Sequence, residues 1–265
     1  MAGDRTGAAA DPYAVSGVAL VTGAGSGIGR ATAQALATAG ADVCVVDIDA
    51  RGGSETVDAV VRAGRRGQLV HADLSDVGGL PDVVEQAVAG LGAIDVLVNN
   101  AAAPSRVPLV EVGETTWREV LELDLTSPWR LSQIVARQMI ERGVGGSIVN
   151  LSSSSAFRAR RAHGAYGVAK AAVVALTRIM AGELGAHGIN VNAVAPGVTA
   201  TAMGGLLGDV DALQSAVSEG PLENLFHRVS TSDDVANAIV FLCSSASRQI
   251  TGQVVHTSAG AVISA

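Results

Sequence analysis

The sequence predicts an α/β fold: a single domain around a doubly wound parallel sheet of about seven strands, with helices on both faces. Two observations predict it. Short apolar runs alternate with longer amphipathic segments along nearly the whole chain, as successive βαβ units require. The first apolar run leads straight into a Gly-rich turn that opens a helical pattern. Right-handed crossovers between parallel strands then favour winding to both sides. A chain of 265 residues commonly stays undivided in α/β folds.

The elements follow in order. Residues 18–22, 42–47, 68–71, 94–98, 147–151, 189–194 and 253–256 read as strands. Most are near-continuous apolar runs, which suits strands buried on both faces. Cys44, inside the second run, reads as a core residue. Helical patterns occupy about 27–39, 52–63, 76–91, 114–140, 164–186 and 232–245. The stretch 200–228 departs from the alternation and is rich in Gly and Leu, so it reads as a flap over the ligand crevice. Residues 1–15 read as a disordered tail, which leaves 16–265 as the catalytic domain.

Composition narrows the partners. The net charge of −7 and pI near 5.2 argue against nucleic acid and anionic membrane. The two cysteines and five histidines show no metal-ligand spacing, so no metal site is expected. Residues 1–17 lack the apolar stretch of a signal peptide, and no run approaches ~18 apolar residues. The expected location is the cytoplasm.

The first strand ends in Thr22 and runs into Gly23, Gly25, Ser26, Gly27, Ile28 and Gly29. Glycines permit the sharp turn and let backbone N–H groups approach a pyrophosphate. The helix N-terminus adds unpaired donors and the positive end of the helix dipole. A plain βα turn has the same look, but its place between strand one and helix one favours a dinucleotide site of Rossmann type. Asp47 closes strand two, 18 residues after Gly29, where a carboxylate can bond the adenosine ribose hydroxyls. A 2′-phosphate would meet like charge there, and no basic residue stands at Ser26, so NAD is the expected cofactor rather than NADP. Asp73, followed by Leu74, can hold the adenine or cap the next turn. Of Asn99 and Asn100, one reads as a strand bridge and the other, Asn100, as a neighbour of the cofactor ribose.

Of 18 basic residues only Lys170 is a lysine, and it stands four residues after Tyr166. That spacing places both on one helix face. A cation beside a phenol favours the phenolate and makes it a usable acid/base.

With Thr22-Gly-x-x-x-Gly-x-Gly29, Asn99-Asn-Ala-Ala102, Ser153, Tyr166-x-x-x-Lys170 and Pro196-Gly197 in order, residues 16–260 resemble the short-chain dehydrogenase/reductase family. The resemblance implies hydride transfer between a nicotinamide and a carbonyl/alcohol pair. It makes Tyr166 the acid/base, and Lys170 its electrostatic partner and a ligand of the nicotinamide ribose. Ser153, 13 residues before Tyr166, becomes the hydroxyl that orients the substrate oxygen, with Ser152, Ser154 and Ser155 as rival registers. Pro196, Gly197 and Val198 would pass over the nicotinamide, with Thr201 on its carboxamide. Asp124 takes the place of the family's relay Asn, and Thr257-Ser-Ala-Gly260 replaces its Asp-Gly-Gly. The family often forms tetramers through the fifth and sixth helices, so a homotetramer is expected.

Substrate signals are fewer. Arg158, Arg160, Arg161 and His163 crowd the loop before Tyr166. They read either as a solvated or subunit-contact loop, or as attraction for a carboxylate, phosphate or acyl-carrier group. Ser155 is a further substrate candidate. Met203, Leu206, Leu207, Leu222, Leu225 and Phe226 in the flap imply a small-molecule substrate that is at least partly apolar. Trp129 reads as core or pocket wall. The leading expectation is an NAD-dependent secondary alcohol dehydrogenase. The rivals are an NADPH-dependent 3-oxoacyl thioester reductase and a silent dinucleotide sensor, the latter disfavoured by the intact Tyr166 and Lys170.

Overall fold

A computed structural model describes residues 11–201, 210–220 and 222–263. The strands are β1 (Val18–Thr22), β2 (Asp42–Asp47), β3 (Gly67–His71), β4 (Ile94–Asn99), β5 (Gly146–Leu151), β6 (Ile189–Pro196) and β7 (Val254–Thr257). They form one parallel sheet in the order β3-β2-β1-β4-β5-β6-β7. The helices are α1 (Gly27–Thr38), α2 (Ala50–Arg62), α3 (Leu80–Leu91), α4 (Glu114–Leu121), α5 (Ser127–Arg142), α6 (Gly164–Leu184), α7 (Val210–Ser218) and α8 (Ser232–Cys243).

Side chains alternate across each strand, so each strand feeds two cores. Leu20, Cys44, Leu97 and Ile148 pack with Leu80 of α3, Leu131 of α5 and Met180 of α6. Val21, Val45, Val98 and Val149 face the opposite layer, with Leu36 of α1, Val60 of α2 and Ile239 of α8. The strand order reverses between β1 and β4. Loops leaving the two strands diverge there and open a crevice at their carboxyl ends.

Four expectations change. The helix expected over 114–140 is two helices joined by a wide turn of π type, Glu122–Thr126. Pro128 has no N–H to offer the carbonyl four residues back, so the helical ladder shifts register there. The shift leaves Asp124 fully buried. The helix expected from 76 starts at Leu80, with Pro81 in its first turn. Asp76 instead caps a short 3₁₀ turn by accepting from the Gly79 N–H at 3.3 Å. The flap holds a regular element, α7, whose Leu213 and Val217 are buried. Finally, the expected tail over 1–15 is already anchored from Pro12. The Pro12 carbonyl accepts from Ala246, Val15 donates to the Ala39 carbonyl, and the Val15 side chain is buried.

Helix α6 with its 3₁₀ extension is long and apolar enough, by length and composition, to cross a membrane. In this fold its apolar residues Val173, Met180, Ala181 and Leu184 pack in the core instead.

Candidate active site

A cleft of 630 Å³ runs along the carboxyl ends of the strands. Gly23, Ser26, Gly27 and Ile28 form one wall. Gly23 and Gly27 have φ of +62° and +52°, a region that favours glycine. Gly29 does not face the cleft. A Cβ there would collide with the Gly23 carbonyl and the Asn100 amide, so its role is to let α1 approach the turn. Ser26 precedes α1 in extended conformation, and its hydroxyl makes no capping bond. The first N–H groups of α1 are therefore left for an anion, which fits a dinucleotide pyrophosphate.

Asp47 fixes the next corner. Its carboxylate accepts from the Gly25 N–H at 2.6 Å and the Asp49 N–H at 2.8 Å. A Cβ on Gly25 would press on that carboxylate. Asp73 and Leu74 also line the cleft. The Asp73 carboxylate accepts from the Ser75 backbone and hydroxyl, so it braces its own turn as well. Pro196, Gly197, Val198 and Thr201 line the far wall.

The two asparagines have different partners. The Asn99 amide donates to Asn150 Oδ1 at 2.8 Å and to Ser132 Oγ, tying β4 to β5 and α5. Asn100 lines the cleft, but its amide donates to the carbonyls of Thr22 and Gly23. It therefore braces the Gly-rich turn.

At the other end stand Ser153, Tyr166 and Lys170, all lining the cleft. Lys170 is 2% exposed, and its Nζ lies 5.6 Å from the Tyr166 ring centroid. Nζ also pairs with Asp124 Oδ2 at 3.3 Å, while Asp124 Oδ1 accepts from the Ala103 N–H at 2.8 Å. Both carboxylate oxygens thus face donors, and an amide at this position could satisfy only one of them. Burial pushes the Asp124 carboxyl up, against the pull of the Lys170 charge and of the Ala103 N–H.

The four serines differ in their partners. Ser152 donates to the Lys170 carbonyl at 2.9 Å, and Ser154 accepts from Arg160. Ser152, Ser153 and Ser155 all line the cleft. Ser153 Oγ accepts from the Ser155 N–H, and Ser155 shares a hydrogen bond with His163 Nδ1. The His163 ring stands edge-on to Tyr166, with centroids 6.0 Å apart.

Of the flap candidates, Met203, Leu206 and Leu207 lie outside the described residues. Leu222 lines the cleft with Leu213 of α7. Phe226 is 68% exposed and does not line it. Leu225 packs beside Gly260 instead. Trp129 is neither core nor pocket wall; it lies exposed on α5.

Thr22, the head of the Gly-rich motif, and Arg30, which the sequence did not single out, both support the site. The Thr22 hydroxyl accepts from the N–H groups of Asn100 and Ala101. Arg30 donates to the Gly25 and Gly52 carbonyls and pairs with Glu55 at 3.1 Å. An arginine behind a glycine turn carries no sequence signal for such a bridge.

Comparison with known proteins adds four findings. A family model described as Enoyl-(Acyl carrier protein) reductase matches residues 23–262. The chain is 38% identical over 244 residues to 2-dehydro-3-deoxy-D-gluconate 5-dehydrogenase of Dickeya dadantii, covering 92% of this chain and 94% of that protein. A 7α-hydroxysteroid dehydrogenase solved with NADH and 7-oxo glycochenodeoxycholic acid matches with TM-score 0.88 and 33% identity, over 95% of this chain and 97% of that one. Another solved chain, from Beutenbergia cavernae with NADP at low occupancy, matches with TM-score 0.86 and 38% identity, over 94% and 98%.

Proposed function

The chain belongs to the short-chain dehydrogenase/reductase family of oxidoreductases, and from that premise we propose that it moves a hydride between NAD and a secondary alcohol/ketone pair. The observation that carries this reading is Tyr166 at the cleft, one helical turn from a buried lysine that is held by Asp124.

Bound NAD supplies the hydride acceptor, or its reduced form the donor. The chain does the rest. Gly23, Ser26, Gly27 and Ile28 receive the phosphates, and Asp47 the adenosine ribose. Asp73 and Leu74 bound the adenine. Pro196, Gly197, Val198 and Thr201 lie along the nicotinamide. Ser153 donates to the substrate oxygen and fixes its position. In the oxidative direction the Tyr166 oxygen takes the hydroxyl proton; in reduction it returns one. The Lys170 ammonium favours the tyrosinate and bonds the nicotinamide ribose, and Asp124 keeps that ammonium in place. Leu213 and Leu222 give the substrate an apolar wall.

A homotetramer through α5 and α6 fits the apolar residues exposed there, Trp129 on α5 and Val168 and Ile179 on α6. A second reading, an NADPH-dependent 3-oxoacyl thioester reductase, is favoured by the NADP in the Beutenbergia cavernae chain and by the description of the family model. The Asp47 carboxylate opposes it.

The test is a screen of secondary alcohols with NAD, read by the absorbance of the reduced nicotinamide. Turnover that disappears in Tyr166→Phe while NAD still binds supports the reading. Equal turnover in Tyr166→Phe overturns it.

A further inference from the structure

The cleft is charged unevenly. Its carboxylates, Asp47 and Asp73, stand beside β2 and β3, whereas Arg106, Arg160, Arg161 and His163 line the other end with Tyr166. Arg160 is the informative member. Its Nη2 donates to Ser154 Oγ at 3.1 Å, while its Nε is buried with no hydrogen-bond partner among the described residues. Among the described residues, no carboxylate pairs with Arg158, Arg160 or Arg161. Burial, followed by the like charge of Arg158, pulls the Arg160 pKa down from its ordinary value. Removing a guanidinium from water beside another cation costs free energy, and an arriving anion offsets that cost. The next residue but one, Ala162, has φ of +60°, a strained conformation for a residue with a Cβ. That strained turn sets the direction in which the loop leaves Arg160 for His163.

We propose that the substrate carries a carboxylate remote from the reacting carbon, and that Arg160 binds it, with Arg161 in support. A guanidinium is a planar fork of donors, and the two oxygens of a carboxylate match it. Arg160 then sets which end of the substrate reaches Tyr166. The proposal rests on the oxidoreductase reading above.

The test separates binding from turnover. Tyr166→Phe saturated with NADH is titrated with keto acids, from 4-oxopentanoate to 4-oxocyclohexanecarboxylate, with their methyl esters and with the matching phosphonates. Nicotinamide fluorescence reports binding. At least one acid binds at least about tenfold more tightly than its ester, the effect of one charge-assisted hydrogen bond. Adding Arg160→Gln brings that ratio close to one, and Arg160→Lys restores part of it. Esters that bind as well as acids across the panel overturn the proposal, as does a preference that survives Arg160→Gln. A comparable preference for phosphonates over carboxylates overturns the carboxylate assignment. Turnover of the same compounds by the parent enzyme is read separately. Acids that bind through Arg160 yet never react leave this inference standing, while the hydride-transfer reading stands or falls on the alcohol screen.

Discussion

At the scale of single residues, the four consecutive serines have distinct partners, and that separation is testable. On the proposed reading, Ser153→Ala removes a donor to the substrate oxygen. Its kcat is expected to fall by about a hundredfold, with little change in melting temperature. Ser152 lines the cleft too, but its hydroxyl donates to the Lys170 carbonyl. Ser152→Ala is expected to cost about 1 kcal/mol of stability instead, visible in denaturant unfolding. The reverse pattern would shift the register by one residue. Asp47 carries a second prediction. Its carboxylate is pinned by two backbone N–H groups, so it cannot swing away from a 2′-phosphate. NAD is expected to exceed NADP in kcat/KM by at least about tenfold, roughly 1.4 kcal/mol, and Asp47→Ser to narrow the gap. Equal constants for the two cofactors in the parent enzyme would contradict this. Tyr166 and Lys170 are legible in sequence because helical geometry alone puts residues four apart on one face. The Ala103 partner of Asp124 is not legible, since it depends on where that loop passes.

At the scale of elements, the strands read clearly from sequence because a sheet buried on both sides leaves near-continuous apolar runs. Helix limits read less well where proline intervenes. Pro81 and Pro128 fall inside periodic patterns, and periodicity alone does not reveal whether a helix starts late or changes pitch. Alpha-7 was hidden for another reason: its Gly- and Leu-rich surroundings lack a long amphipathic repeat. The segment after β7 gives the prediction at this scale. Ala259 sits at φ +51°, where the family commonly carries glycine. Ser258 packs closely on Gly197 and holds the strained turn in place. Ala259→Gly is expected to stabilise the protein by about 0.5–1 kcal/mol, since relief of left-handed strain exceeds the added chain entropy. A lower melting temperature would show that the turn is not strained in solution.

At the scale of the whole molecule, sheet order and the position of the crevice follow from right-handed crossovers and one reversal of winding. Those rules need only the order of the elements, which the sequence displays. The cleft's charge asymmetry lies beyond such rules, because Asp47 and Arg160 come together only through the fold. The single lysine has a further consequence at this scale. The protein's other basic side chains are guanidinium or imidazole, and its one side-chain amine is sealed in the cleft. Reagents that acylate amines therefore find no lysine on the surface. Acylation of Lys170 then becomes a clock for cleft opening, in which each labelled side chain is one enzyme lost. Mass spectrometry should show that label and inactivation advance together, and that NAD slows both.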